Sequence, residues 1–315
     1  MTTLSDMIDE VSMNLSGYTL QQDRATYITA AVTTTTSPSS APTILTLASA
    51  DNLGKGVVEI DEELLWIDNF DRVGNTATIA PYGRGYLGTT AATHAADAKV
   101  TISPTFPRFA IKRAINDTIS AIGSSIFAAN TTTITSNAAV AAFRLPTTGA
   151  TLNIRSILFV AYQALGASKE WIPIRTFRFD GNANTTAFTS GQTISIYDVI
   201  PSGRTIQIAY STYPVAFSDL ATTALTNAQV FATVTKLPDS CKDLVILGAT
   251  YRLLSNLDPA RASMISPQAD EVDAKRPYGS SQSITKQIYA LFNQRLNEEI
   301  KKQQDKYPIR VHYSL

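Results

Sequence analysis

The sequence predicts an α+β fold: a helical bundle formed by N-terminal, middle and C-terminal helices, with a small β module and a β-sandwich inserted. Three observations predict it. Apolar residues recur at helical spacing near the start, just beyond residue 105, and again beyond residue 236. Two stretches between them alternate with the period of two that marks half-buried strands. Charged residues are only 17% of the 315, and Thr, Ser, Ala and Asn take their place, which favours pleated surfaces and polar loops. The expected divisions are an N-terminal bundle helix in 1–32, a small β module in 41–103, a bundle helix in 105–128, a β-sandwich insertion in 131–215, C-terminal bundle helices in 236–306 and a C-terminal arm in 307–315.

In chain order, Thr3 with Asp6 forms a capping box, and Leu4, Met7, Ile8, Val11 and Leu15 share one helical face that Gly17 is placed to end. The run Thr33 to Ser40 is a polar linker. Val57 to Ile60 and Leu64 to Asp68 flank Asp61-Glu62 as a hairpin, and Gly74-Asn75 turns the chain into Thr76 to Ala80. The middle helix is expected over Pro107 to Phe127, capped by Thr105, with a stripe of Ile111, Ile115, Ile119, Ile122 and Ile126. Sandwich strands are expected at Val140–Leu145, Leu152–Tyr162, Trp171–Phe179, Gln192–Tyr197 and Arg204–Tyr213. Leu244 to Leu254 is apolar nearly all round, so that helix should be central. A further helix is expected from Pro259 to about Lys275. Ser283 to about Lys306 forms a long amphipathic helix with Ile284, Ile288, Leu291, Phe292, Leu296 and Ile300 on one side, and Pro308 stops it.

The charge balance is neutral, with 26 basic and 26 acidic residues, which argues against double-stranded DNA as the primary ligand, since phosphate binding rests on a basic excess. The single Cys241 rules out an internal disulfide framework and reads as a small buried residue more readily than as a reactive thiol. Neither a secretion signal nor a membrane-spanning run is expected.

Chemistry is sparsely marked. Gly83, Gly85 and Gly88 spell a dinucleotide-like glycine pattern, but strand-like segments surround it and no helix follows. The two histidines, His94 and His312, have no ligand or triad partners nearby in sequence. Asp51, Glu59, Asp61, Glu62 and Glu63 have the wrong spacing for a calcium loop and read as a solvated hairpin tip. No catalytic, cofactor-binding or metal-binding residue is assigned. Lys301, Lys302 and Lys306 suit the negative end of a helix dipole, either as a solvated helix end or as a contact to an acidic partner. The tail Tyr307 to Leu315 alternates, so it is either a frayed terminus or a strand that adds to a neighbour.

The run Arg84-Gly85-Tyr86-Leu87-Gly88-Thr89-Thr90-Ala91-Ala92-Thr93-His94-Ala95 resembles a motif of tailed-bacteriophage structural proteins that closes a small β module begun by a hairpin. Asp97 stands where those proteins often carry glycine. The motif residues Arg84, Gly85, Tyr86, Gly88, Thr89 and His94 read as structural: glycines for tight turns, Tyr86 over the end of the small core, His94 bonded to loop carbonyls. The order of helices resembles that of head-to-tail adaptors (connectors), helical rings under the portal with a C-terminal arm gripping it. The resemblance implies a non-enzymatic virion protein without cofactors, made in the host cytoplasm and residing in the neck. Its partners would be the portal protein, the next neck or tail protein, and further copies in a dodecameric ring, with incidental DNA contact and no membrane. Lys301, Lys302, Lys306, Tyr307, Ile309, Arg310, Val311, His312 and Tyr313 would then form the portal interface. Two alternatives stand beside it: a tail or baseplate component that contacts the host, and a carbohydrate-binding protein using Trp171, Phe177 and Phe179 if those rings are exposed.

Overall fold

The computed structural model describes residues 2–19, 23–33, 43–137, 140, 142–145, 154–165, 169–217, 227–255 and 280–308. The expected helical bundle is not the frame of the molecule. The fold is mostly β, with thirteen strands in antiparallel sheets of six, four and three, and only five α-helices, among the described residues. Four strands of the largest sheet are four residues long, too short to show a periodicity, so the helical stripes dominate the sequence pattern while the strands dominate the fold. The chain divides into two compact units, one of residues 1–118, 216–234 and 239–295, the other of 119–215, 235–238 and 296–315.

The first unit begins with α1 (Leu4–Thr19), whose capping box is present: the Thr3 N–H donates to Asp6 Oδ2 at 2.8 Å and the Asp6 N–H to Thr3 Oγ1 at 3.2 Å. The chain then enters β1 (Arg24–Tyr27), so residues expected as part of a helical segment open a sheet instead. There follow β2 (Thr43–Thr46), β3 (Gly56–Ile60), β4 (Glu63–Asp71), β5 (Thr76–Ile79) and β6 (Lys99–Ile102), in the spatial order β1-β6-β3-β4-β5-β2. The two outer strands meet: beyond their ends Ile28 bridges Leu47, the Thr29 N–H donates to Thr46 O and the Ala48 N–H to Tyr27 O, both at 2.8 Å. The sheet therefore curls back on itself as a barrel, around Ile28, Leu45, Leu47, Val58, Ile60, Leu65, Ile67, Ile79 and Val100.

Helix α2 (Arg108–Ile122) carries the predicted isoleucine stripe but ends before Phe127, where the Ser125 and Ile126 N–H groups both close on Ile122 O in a tight turn. The expected cap, Thr105, instead lies beside Asp23 at 3.4 Å. Helix α3 (Phe231–Thr235) is a single short turn. Helix α4 (Lys242–Ser255) is buried on most sides and packs against α1. Its Gly248 faces Thr118 and Phe292, where a Cβ would come within 2.3 Å of the Thr118 methyl, so only glycine lets these helices approach so closely. Helix α5 (Ser280–Lys306) buries Ile288 and Phe292 but leaves Leu291 half exposed, which narrows the predicted apolar side. The polar linker at 34–40 and the helix expected at 259–275 lie outside the described residues.

The second unit consists of two sheets. One has the order β10 (Trp171–Pro173), β9 (Ile154–Gln163), β13 (Thr205–Thr212), β7 (Ala128–Thr135); the other β11 (Phe177–Asp180), β12 (Thr193–Ile196), β8 (Ala142–Arg144). One apolar core takes Ile134, Ile154, Val160, Ile206 and Ile208 from the first sheet and Ile194, Phe143, Phe177 and Phe179 from the second. The single strand expected over Trp171–Phe179 is two strands in two sheets. Between them the Asp198 carboxylate captures the Arg175 N–H at 2.9 Å and the Thr176 hydroxyl, which turns the chain from one sheet to the other.

Candidate functional site

The chemistry-bearing residues of the first unit converge on the tip of the β3–β4 hairpin. Glu63 opens β4 on the same face as Leu65 and Ile67, since alternate strand residues share a face, so its carboxylate enters the core end of the barrel. Five donors meet it there. Arg84 Nε reaches Oε1 at 2.6 Å and a second guanidinium nitrogen reaches Oε2 at 2.8 Å, a bidentate pair with both side chains fully buried. The backbone N–H groups of Gly85 and Ala92 donate to the two oxygens at 2.9 Å, and His94 Nε2 lies 2.9 Å from Oε2. The other histidine nitrogen, Nδ1, is 2.8 Å from Oδ2 of Asp61 in the hairpin turn. Burial raises the Glu63 pKa, but the Arg84 and His94 bonds and the two N–H groups outweigh it and bring it down to about 2. Burial likewise pulls the His94 pKa down, and its bonds to Asp61 and Glu63 reverse that and lift it above the ordinary value.

The loop that supplies these donors is shaped by its glycines. A Cβ on Gly83 would sit 2.8 Å from the carbonyl oxygens of Ala80 and Trp66, and Gly85 has φ +61° with its Cβ position 2.7 Å from Thr89 O. Thr89 accepts from the Leu64 N–H at 3.1 Å and donates to Tyr86 O at 2.9 Å, while the Tyr86 ring lies 5.3 Å from that of Trp66. Gly88 follows with φ +85°. The structure thus brings Arg84, Gly85, Thr89 and His94 onto one hairpin. His94 bonds carboxylates rather than the loop carbonyls expected; its backbone, not its ring, makes the carbonyl contacts, pairing with Val32.

The remaining acidic residues of the tip point elsewhere. Glu59 is buried and accepts the Arg108 N–H at 2.6 Å, so a carboxylate 49 positions upstream caps α2. Burial pushes its pKa up to about 7, against the lowering effect of that N–H. Glu62 pairs with Lys112 of α2 and accepts from Asn227. The solvated tip expected from the sequence is therefore corrected in part: Glu59 and Glu63 are buried, while Asp51 is exposed and Asp61 keeps a largely exposed side chain. Sequence reasoning missed Glu63 and Lys112 as partners of a buried network. The available signals were the period-two placement of Glu63 with Leu65, and Lys112 lying three and seven positions before Ile115 and Ile119 on the buried stripe.

The other candidate residues lie apart from this network in sequence. Lys302 pairs with Glu299 at 2.6 Å, Lys301 and Lys306 are exposed, and Lys306 lies 5.5 Å over the Tyr307 ring at the end of α5. Tyr307 rests 5.8 Å from Phe127. Ile309, Arg310, Val311, His312 and Tyr313 fall outside the described residues. Of the possible sugar-binding aromatics, Phe177 and Phe179 pack against the sandwich core and Trp171 is partly exposed. Cys241 is buried. Among the described residues no group of three or more His, Cys, Asp or Glu side chains is arranged to hold a metal ion, and no helix is long and apolar enough to cross a membrane. Neither the family models nor the curated proteins compared with the sequence match it.

Proposed function

We propose that the chain is a non-enzymatic structural protein of a tailed-phage virion, a head-to-tail adaptor that forms a ring between the portal and the next neck or tail component. One observation carries the reading. Arg84 and His94, the most reactive side chains of the phage-like run, are both engaged with Glu63 inside the barrel end. That arrangement supplies rigidity rather than a reacting group, since a nucleophile or general base must meet a substrate. The support comes from this module and its resemblance, not from a helical frame. In this reading the barrel is a rigid spacer, the sandwich an elaboration that faces a neighbour, and the ring surrounds passing DNA without reading it. Its place is the virion neck.

The test is the mass of the full-length protein in solution, alone and mixed with portal-bearing capsids. A ring by itself, or one that forms on the portal, supports the adaptor. A persistent monomer or trimer that ignores the portal and binds host cells or glycans overturns it and favours a tail or carbohydrate-binding role.

A further inference from the structure

The His94 ring lies between two carboxylates, each within hydrogen-bond distance of a different ring nitrogen. A neutral imidazole has one N–H donor and one bare acceptor nitrogen, so it can satisfy only one of these carboxylates. Glu63 is ionised throughout the neutral range, because its pKa is held at about 2. Both partners thus accept, and the geometry is complete only when His94 carries a proton on each nitrogen. The groups that face it are Asp61 from the hairpin turn and Glu63 from β4; Arg84 lies on the far side of the Glu63 carboxylate. The Arg108 guanidinium pairs with Asp9, and Lys112 is directed at Glu62.

The backbone of His94 ties this ring to a second segment. His94 N–H donates to Val32 O at 2.9 Å and Val32 N–H to His94 O at 2.8 Å, an isolated bridge beyond the end of β1. The rest of the loop is held without the imidazole: Arg84 and the Gly85 and Ala92 N–H groups donate to Glu63, and the Ala92 carbonyl accepts from Arg84.

We propose that His94 is a proton-operated latch: as an imidazolium it pins its own end of the loop, with the bridged Val32 segment, to the hairpin tip, and loss of a proton releases both. The direction follows from linkage. A histidine stabilised in its charged form contributes fully below its unfolded value near 6.5, and that contribution is lost as pH rises through the higher folded value. The latch is therefore closed below the raised His94 midpoint and open above it, whatever the chain assembles with.

The test uses the full-length protein. Imidazole proton resonances are followed against pH, with His312→Gln assigning the two histidines, and backbone amide exchange is read at His94 and Val32, with Gly85 as internal reference. The latch requires a His94 midpoint above 6.5 and, once intrinsic rates are corrected, exchange at His94 and Val32 at least about tenfold faster above that midpoint than below it, relative to Gly85. Asp61→Asn removes an exposed carboxylate and leaves the Arg84–Glu63 pair intact; it should lower the midpoint and shift the opening to lower pH, which a merely structural histidine would not do. A His94 midpoint at or below 6.5, unchanged protection across it, or an Asp61→Asn protein with the parent profile overturns the proposal.

Discussion

The barrel and the sandwich reach stability by different physics. The barrel end is organised by charge: Glu63 with Arg84 and His94, Glu62 with Lys112, and Glu59 at the start of α2. Three acidic residues of one hairpin tip reach two other parts of the same unit, the 84–94 loop and the start of α2. In the sandwich, among the described residues, no ion pair joins two strands, and the two sheets meet through Ile, Val, Leu, Phe and Tyr side chains. Apolar burial is non-directional and tolerant of exchange, whereas a buried ion pair is costly to leave half-made and is satisfied in few geometries. The barrel should therefore respond to pH and to the loss of single partners, and the sandwich to volume.

The largest expected break in this contrast is Arg84→Met. It leaves Glu63 buried without its bidentate partner, and losing one member of a buried pair costs about 3–5 kcal/mol. Urea unfolding should show that loss in the barrel while sandwich probes such as Trp171 keep their own midpoint; a loss under 1 kcal/mol would mean the cluster is not what holds the loop. Next comes Ile208→Ala in the sandwich, with a cost of about 2–4 kcal/mol from lost burial and cavity formation. That cost should be the same at pH 5 and pH 8, and a marked pH dependence would erase the distinction drawn between the units.

Gly83→Ala should cost about 1–3 kcal/mol, because the new methyl meets two backbone carbonyl oxygens that cannot rotate away. A thermal melt unchanged from the parent would show that the loop has room to shift. The last effect concerns Glu59. Its folded pKa is raised from 4.5 to about 7, so its contribution is full below about pH 4.5 and is lost as pH rises through 7. Glu63 runs the other way: its contribution is full above about pH 4.5 and is lost as pH falls toward 2. Barrel stability should therefore peak near about pH 5. Glu59→Gln keeps an acceptor for the Arg108 N–H without the charge, and should flatten the alkaline side of the profile; a profile that stays as steep would assign that slope to His94 alone.

Much of the fold's local detail is legible in the sequence, and its frame is not. Period and capping mark α1, and alternation marks β13, because both signals act within a few residues. Strands β1 and β6 escape because they pair across up to 78 positions, a relation no local pattern encodes, whereas β3, β4 and β5 are legible. The corner at Arg175–Thr176 escapes because it depends on Asp198, more than twenty positions away. At the site, the run from Arg84 to His94 is legible as a module, since its glycines and polar residues sit close in sequence. Its purpose is hidden because the acid it encloses, Glu63, lies among acidic neighbours that suggest a solvated tip. Burial of a carboxylate is decided by the partners that converge on it, and these come from a loop more than twenty residues downstream.

The pairing of β1 with β6 also sets an order in time. Synthesis delivers β1 first, but the strand it pairs with, β6, is the last of its sheet to leave the ribosome. The N-terminal strand must therefore wait for its ladder partner while the β3–β4 hairpin forms from neighbouring residues. Closing so long a loop is slow, because its entropy is lost before the pairing repays it. Until residue 102 emerges the nascent chain carries a raw sheet edge, and a chaperone or a pause in translation would act in that interval.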